Sequence, residues 1–94
     1  MGTPIYLAPE MIQHQPYNFK VDIWAIGCVL YHLAALRPPF YSENLVSLGY
    51  NIVHKFPAKL PSQYSPQLRQ LIMRLLNKSS SGRPNISAVL KQFP

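Results

Sequence analysis

The sequence predicts an all-α fold of about five helices packed around one central buried helix. Three observations support this prediction. The stretch Asp22–Leu36 has only two plainly polar residues, Asp22 and His32, and a helix that is apolar all round is expected to be covered on every side. Apolar residues elsewhere recur at helical spacing. Ten prolines divide the chain into short segments, and no strand pattern stands out.

The central stretch is too short to cross a bilayer, which requires about 20 apolar residues. Pro38 and Pro39 end the helix, because proline has no N–H with which to continue the helical hydrogen bonds. We therefore interpret Asp22–Leu36 as the core helix of a soluble domain.

Four shorter helices are predicted around the central one, each with its own start signal. A proline in the first turn begins a short helix over residues 8–13. Ser42 is expected to cap the next helix, Ser65 followed by Pro66 begins another, and Asn85 caps the last. The residues expected to face inward are Leu45, Leu48, Ile52, Leu68, Leu71, Ile72, Leu75, Leu76, Ile86, Val89 and Leu90.

The composition indicates a piece of a larger domain. Charged residues make up 13% of the 94 residues, against about 25% in ordinary domains, so part of the surface is expected to be covered. The net charge is +6, but the nine Lys and Arg residues form no run or stripe. A solvated surface is therefore favoured over the alternative of a small basic nucleic-acid-binding domain.

Cys28 is the only cysteine, which excludes an internal disulfide and a cysteine-rich zinc site and fits a reducing compartment. Its place in the apolar stretch favours a core residue over a nucleophile. His14, His32 and His54 lack metal-ligand spacing, so no metal site is expected. Met1 is followed by no basic and apolar run, and the sequence therefore predicts no secretory signal and an intracellular protein, cytoplasmic or nuclear.

Three motifs occur in an order that is found in one known family. They are Gly2-Thr3-Pro4-Ile5-Tyr6-Leu7-Ala8-Pro9-Glu10, Asp22-Ile23-Trp24-Ala25-Ile26-Gly27 and Arg83-Pro84. The first resembles the end of the activation segment of eukaryotic Ser/Thr protein kinases. The second resembles the start of their central buried helix, and the third their lobe-closing arginine. The similarity covers essentially the whole chain, and residues 50–65 look most like the NIMA-related branch.

The resemblance implies that residues 1–94 are part of a kinase domain, from the end of the activation segment to the last helix of the C-terminal lobe. It implies that Glu10 and Arg83 form an ion pair; without it, a loose surface pair would be favoured. The Asp22 carboxylate would accept backbone N–H bonds from the catalytic loop. Trp24 and Gly27 would be packing residues, with the glycine allowing a close backbone approach.

The resemblance also assigns the first residues to substrate binding. Thr3 marks a Ser/Thr kinase rather than a tyrosine kinase, and its hydroxyl would lie near the catalytic base and lysine. Gly2 is assigned to the same substrate-binding strip. Pro4, Ile5 and Tyr6 would shape the pocket for the residue that follows the phosphorylated one. Without the resemblance, residues 2–6 would be interpreted as an ordinary turn.

The residues that perform phosphoryl transfer are missing. Asp22 is the only aspartate, the four glycines form no G-x-G, and neither His-Arg-Asp nor Asp-Phe-Gly occurs. We therefore expect no catalytic, cofactor-binding or metal residue here; ATP and Mg would belong to the full parent domain, and this chain alone is predicted to be inactive. The expected partners are the parent's protein substrate and the upstream half of the domain, with no nucleic acid and no membrane. The alternative is a non-catalytic kinase-like interaction fragment.

Two departures from the family pattern stand out in the sequence. Serine occupies the loop before Arg83 where proline is common, and Ala34-Ala35-Leu36 lacks the glycine often seen at the end of the central helix. Neither position has a chemical role, so these departures bear on the subfamily rather than on the family.

Overall fold

The structure, a computed structural model, describes residues 4–91, and this part of the chain is all-helical, with no strand. Five α-helices and one 3-10 turn follow each other in chain order. This confirms the predicted fold class and number of helices. The helices are α1 (Pro9–Ile12), α2 (Lys20–Ala35), α3 (Leu45–His54), α4 (Pro66–Leu75) and α5 (Ile86–Leu90), with the 3-10 turn at Ser80–Gly82.

Helix α2 is central and packs directly along α4. A Cβ atom on Gly27 would lie 2.8 Å from Leu75 Cβ and 3.0 Å from Leu76 Cδ2, so no larger residue fits without a shift. The two helices therefore approach closely at this position. The buried apolar residues around the contact are Ala8, Ile23, Trp24, Cys28, Tyr31, Phe40, Leu48, Ile52, Leu60, Leu71, Ile72, Leu75, Leu76 and Val89.

One face of α2 is not covered within residues 4–91, although the apolar stretch predicts a helix that is covered on every side. Ile26, Val29 and Leu33 are 36%, 42% and 69% exposed, and Asp22 is exposed on the same side. These residues are spaced by four, three and four positions, which places them on one helical face. We call Asp22, Ile26, Val29 and Leu33 the outer stripe.

The helix caps agree with the predicted ones except at α3. The Ser65 hydroxyl accepts a bond from the Leu68 N–H at 3.1 Å, and the Asn85 side chain accepts one from Ala88 at 2.9 Å. At α3 the cap is Asn44, whose side chain accepts a bond from the Ser47 N–H at 3.1 Å. The prediction of Ser42 as the cap was wrong, because its hydroxyl instead accepts a hydrogen bond from the N–H of Asn44 at 3.3 Å.

Helix α5 buries fewer apolar residues than the sequence predicts. Val89 packs in the core, whereas Ile86 and Leu90, which were also expected to face inward, are exposed. Helix α5 has only five residues, and its one buried residue joins a cluster with Ile23, Leu71 and Leu75. One and a half turns offer too narrow a face for three inward residues.

Leu36 ends α2 in the left-handed conformation, with φ 61° and ψ 26°. This conformation costs a non-glycine residue about 1–2 kcal/mol, and the Leu36 side chain is exposed, so burial does not offset the cost. We expect Leu36→Gly to raise the free energy of unfolding by about 1 kcal/mol in urea titrations. Leu33→Gly, at a right-handed position of the same helix, should lower it by about 1 kcal/mol. A loss of stability at position 36 would contradict the prediction.

Candidate functional site

Residues 4–7 line an open, largely apolar depression of about 490 Å³ against the first turns of α2. The depression is formed by residues of this segment together with residues of α1 and α2. Asp22 is the only charged residue among those that line it, so its carboxylate is the one charged group there that could attract a cationic ligand. The lining residues are Pro4, Ile5, Tyr6, Leu7, Met11, Val21, Asp22 and Ala25.

A hydrogen bond between Tyr6 and His32 attaches the segment 4–7 to the second half of α2. The Tyr6 hydroxyl lies 2.7 Å from His32 Nδ1, and the imidazole tautomer decides which atom donates. The two rings are almost perpendicular, at 85°, with centroids 6.3 Å apart. The edge-to-face contact and the hydrogen bond together fix the position of the Tyr6 ring.

A buried ion pair between Glu10 and Arg83 fixes the chain shortly after the segment 4–7. Arg83 Nη1 lies 2.7 Å from Glu10 Oε2, and Nη2 lies 2.8 Å from Oε1. The Arg83 side chain has no exposed surface and the Glu10 side chain is 8% exposed. The planar guanidinium fork suits this two-bonded geometry, which a lysine could not reproduce.

The remaining Arg83 donors are also satisfied. Nε donates to the Asn77 carbonyl at 2.7 Å, Nη1 to the Lys20 carbonyl at 3.1 Å, and Nη2 to the Lys78 carbonyl at 3.4 Å. With the two bonds to Glu10, these use every N–H of the guanidinium. The arginine therefore joins α1, the start of α2 and the loop after α4 without leaving a buried donor unpaired.

The Trp24 ring packs against the guanidinium of this arginine. The guanidinium carbon of Arg83 lies 5.0 Å from the centre of the Trp24 ring, within the range of a cation–π interaction. Phe40 stacks on the same tryptophan, with ring centroids 5.8 Å apart and an angle of 8° between the planes. Trp24 has no exposed surface, so it acts here as a packing residue and does not contact solvent.

The ion pair gives a pH-dependent contribution to stability. Hydrogen bonds from Arg83 hold the pKa of Glu10 below its usual value of 4.5, against the opposing effect of burial. A lowered carboxyl pKa contributes stability that is present above the unfolded value and is lost as the pH falls through the folded value. We therefore expect the free energy of unfolding to fall below pH 4.5, and Glu10→Gln to flatten that slope in urea titrations at decreasing pH. An unchanged slope would contradict the assignment.

Two predicted site residues lie outside the described part of the chain, and a third, Asp22, makes no side-chain hydrogen bond or ion pair within it. Gly2 and Thr3 precede residue 4, so the substrate-binding role expected for them stays a prediction. Asp22 lies in the first turn of α2, where the helix dipole favours a carboxylate, and it is exposed. Among residues 4–91 no ion pair or hydrogen bond involves its side chain, so the partner expected for it also stays a prediction.

Three contact residues were missed by the sequence analysis: Lys20, His32 and Lys78. The Lys20 amine donates to the backbone carbonyls of Arg83 and Ser80. Both lysines had been counted among the scattered surface cations, and His32 had been considered only as a metal ligand. The one available signal was the position of Lys20, two residues before the central motif that begins at Asp22.

The described residues do not fit a nucleotide-bound metal ion. Mg²⁺ is usually held by one or two carboxylates in addition to phosphates. Here Glu10 is committed to Arg83, while Asp22 and Glu43 are isolated and exposed. No group of three His, Cys, Asp or Glu residues suited to a metal ion occurs between residues 4 and 91. A search of the same residues found no helix with the length and apolar character that a membrane crossing demands.

Comparison with known proteins places the chain in a family. The family model of the protein kinase domain matches residues 1–93. Serine/threonine-protein kinase Nek8 of Danio rerio is 46% identical over 90 residues, which are 96% of this chain and 13% of that protein. Human Nek5 is 44% identical over 92 residues, or 98% of this chain and 13% of the relative.

Human Nek2 is 38% identical over 91 residues, which cover 97% of this chain and 20% of that protein. The chain thus spans between one-eighth and one-fifth of the length of these curated relatives. All three relatives carry the name Nek. The chain therefore belongs to the protein kinase domain family, in its NIMA-related (Nek) branch.

Proposed function

We propose that this chain is the substrate-side part of a Ser/Thr protein kinase domain. The full parent would transfer the γ-phosphate of ATP to serine or threonine of a protein substrate. The observation that carries the proposal is the segment 4–7, which is held by the Tyr6–His32 bond and followed directly by the Glu10–Arg83 ion pair. A segment fixed at two places beside an open depression can present a constant surface to a peptide.

Within this proposal, the substrate strip consists of Gly2, Thr3, Pro4, Ile5 and Tyr6. Asp22 would accept backbone N–H bonds from the catalytic loop of the upstream half. ATP and Mg²⁺ would be bound by that upstream half, because the family's nucleotide and metal motifs do not occur in this sequence. The chain alone would be inactive, and the protein would act inside the cell.

A phosphotransfer assay tests the proposal directly. The protein that contains this chain together with the preceding kinase residues should phosphorylate serine or threonine of a generic protein substrate. The 94-residue chain alone should not. If the longer protein carries no His-Arg-Asp and Asp-Phe-Gly sequence upstream and transfers no phosphate, the kinase function is wrong.

A substitution at Ile5 should affect the protein substrate but not ATP. Ile5→Asp places a charge in the apolar depression, and loss of an apolar contact there should raise the KM for a peptide substrate about 10-fold. The KM for ATP should stay unchanged. Val46→Asp, on the exposed face of α3 and away from the depression, is the matched control and should alter neither constant. A rise in the KM for ATP with Ile5→Asp would contradict a substrate-side role.

One observation favours a second candidate, a non-catalytic interaction fragment. The outer stripe of α2 leaves three large apolar side chains exposed within residues 4–91, and such a surface can bind a partner. The upstream sequence distinguishes the two functions. The catalytic motifs there favour the kinase, and a stop codon directly before Met1 favours the interaction fragment.

A further inference from the structure

A second concave surface lies between α4 and the irregular segment that precedes it, with a volume of about 290 Å³. Positions 66, 69, 70 and 73 of α4 contribute to it, and their spacings place them on one helical face. We call this surface the α4 groove. It is lined by Pro57, Lys59, Leu60, Pro66, Arg69, Gln70 and Met73, none of which lines the depression of residues 4–7.

Contacts with the rest of the fold hold both walls of the α4 groove in place. The Tyr31 hydroxyl of α2 donates a hydrogen bond to the Ala58 carbonyl at 2.7 Å, and Leu60 is buried in the core. On the other side, the Ser65 cap and Pro66 fix the first turn of α4, which packs along α2. A groove whose walls are set before binding costs a ligand less ordering entropy than a mobile surface does.

Both charged side chains that line the α4 groove are cations. Lys59 stands on one wall and Arg69 on the other, and no acidic residue is among the lining residues. The half-buried Arg69 donates from Nε to the Tyr64 carbonyl at 3.2 Å, and no other hydrogen bond involves its side chain among residues 4–91. Nη1 and Nη2 therefore keep their donors for a ligand. These two groups of a guanidinium can bind both oxygens of one carboxylate.

The rest of the α4 groove is mostly apolar, and its size suits side chains better than a whole small molecule. Pockets that enclose drug-sized ligands usually measure about 300–1,000 Å³, and this groove lies just below that range. Met73 is 37% exposed, and its unbranched thioether can adapt to apolar groups of different shape. The groove thus fits one or two side chains of a longer chain, one apolar and one acidic.

We propose that the α4 groove docks a peptide segment of a different protein, in which an acidic residue stands beside a large apolar one. The carboxylate accepts hydrogen bonds from Arg69 and is attracted by Lys59, while the apolar neighbour packs against Leu60 and Met73. The net charge of +6 favours an acidic partner over a second copy of this chain, because like-charged copies repel each other. The proposal does not rest on the kinase function, since the groove and the depression share no lining residue.

The first test determines the chemistry of the peptide. The fluorescently labelled full-length protein that contains this chain is incubated with an array of short peptides, in which Glu or Asp stands beside Leu, Ile, Phe or Met among Ala, Ser and Gly. Matched peptides carry Gln or Asn in place of the acid, or Ala in place of the apolar residue. The acidic apolar peptides should retain about tenfold more protein than either matched set at about 0.15 M salt. Equal retention of the amide peptides overturns the proposal.

The second test locates the binding site with variants of the full-length protein. The Kd of the peptide that is best retained, measured by fluorescence anisotropy, should rise about tenfold in Arg69→Gln. It should rise about threefold in Lys59→Gln, whose wild-type side chain is exposed and makes no hydrogen bond among the described residues, so that the fold is kept. Arg74→Gln is the matched control, an exposed cation of α4 outside the groove, and should leave the Kd unchanged.

Two results of the second test overturn the proposal. An unchanged Kd in both Arg69→Gln and Lys59→Gln, or an equal rise in Arg74→Gln, would place the peptide elsewhere on the protein. A wild-type dimer in analytical ultracentrifugation that Arg69→Gln dissociates would identify a second copy of the chain as the occupant of the groove.

Discussion

Replacement of Glu10 by alanine is expected to lower the free energy of unfolding by about 3–5 kcal/mol, because it leaves a buried guanidinium without its counter-charge. Arg83 is 2% exposed and cannot reach water without disruption of its bonds to three backbone carbonyls. The loss should appear in urea titrations of the protein that carries this chain, at neutral pH.

Two further variants show whether the loss comes from the stranded charge. The double variant Glu10→Ala with Arg83→Leu should lose less than the sum of the two single losses, because no unpaired charge stays in the core. Glu43→Ala, at an exposed acidic residue outside any ion pair among the described residues, should change stability by at most about 0.5 kcal/mol. Additive losses in the double variant would show that the two residues act independently.

The 94-residue chain produced alone is expected to be helical but loosely packed, and to bind an apolar dye such as ANS. The cause is the outer stripe, whose Ile26, Val29 and Leu33 are uncovered within residues 4–91. Burial of a large apolar side chain contributes about 1.5–3 kcal/mol, and this contribution is missing at each of the three positions. Far-UV circular dichroism, dye fluorescence and light scattering measure the outcome.

The stripe itself can be tested by triple substitution with glutamine at Ile26, Val29 and Leu33. In the isolated chain this variant should reduce dye binding and aggregation, because these side chains contribute little to the core of residues 4–91. The matched control is Ile23→Gln, at a buried position of α2 outside the outer stripe, which should unfold the chain. A sharp, cooperative unfolding transition from a soluble monomer of the unmodified chain would contradict the prediction.

The helices could be predicted because their signals are local. Ser65, Pro66 and Asn85 act within one turn of their own helices, and the spacing of Leu71, Ile72 and Leu75 follows directly from the helical period. The exposed face of α2 could not be predicted in the same way. The sequence around an apolar residue such as Leu33 does not show which part of a protein covers it.

The site was predicted less completely than the helices. Glu10 and Arg83 are separated by 73 positions, and only their places in family motifs suggested that they meet. The contacts of His32 and Lys78 depend on the packing of distant segments, 26 residues apart in each case. Lys78 lies near one ring of α2 and two rings of irregular segments, yet in the sequence it looks like any surface lysine.

The ion pair between Glu10 and Arg83 also joins the two ends of a long loop that contains most of the chain. Every helix except α5 lies on or between these two residues. A shortened chain that ends before residue 83 would therefore lose more than its final helix, because it would also lose the Arg83 bonds to Glu10, to the start of α2 and to the loop after α4.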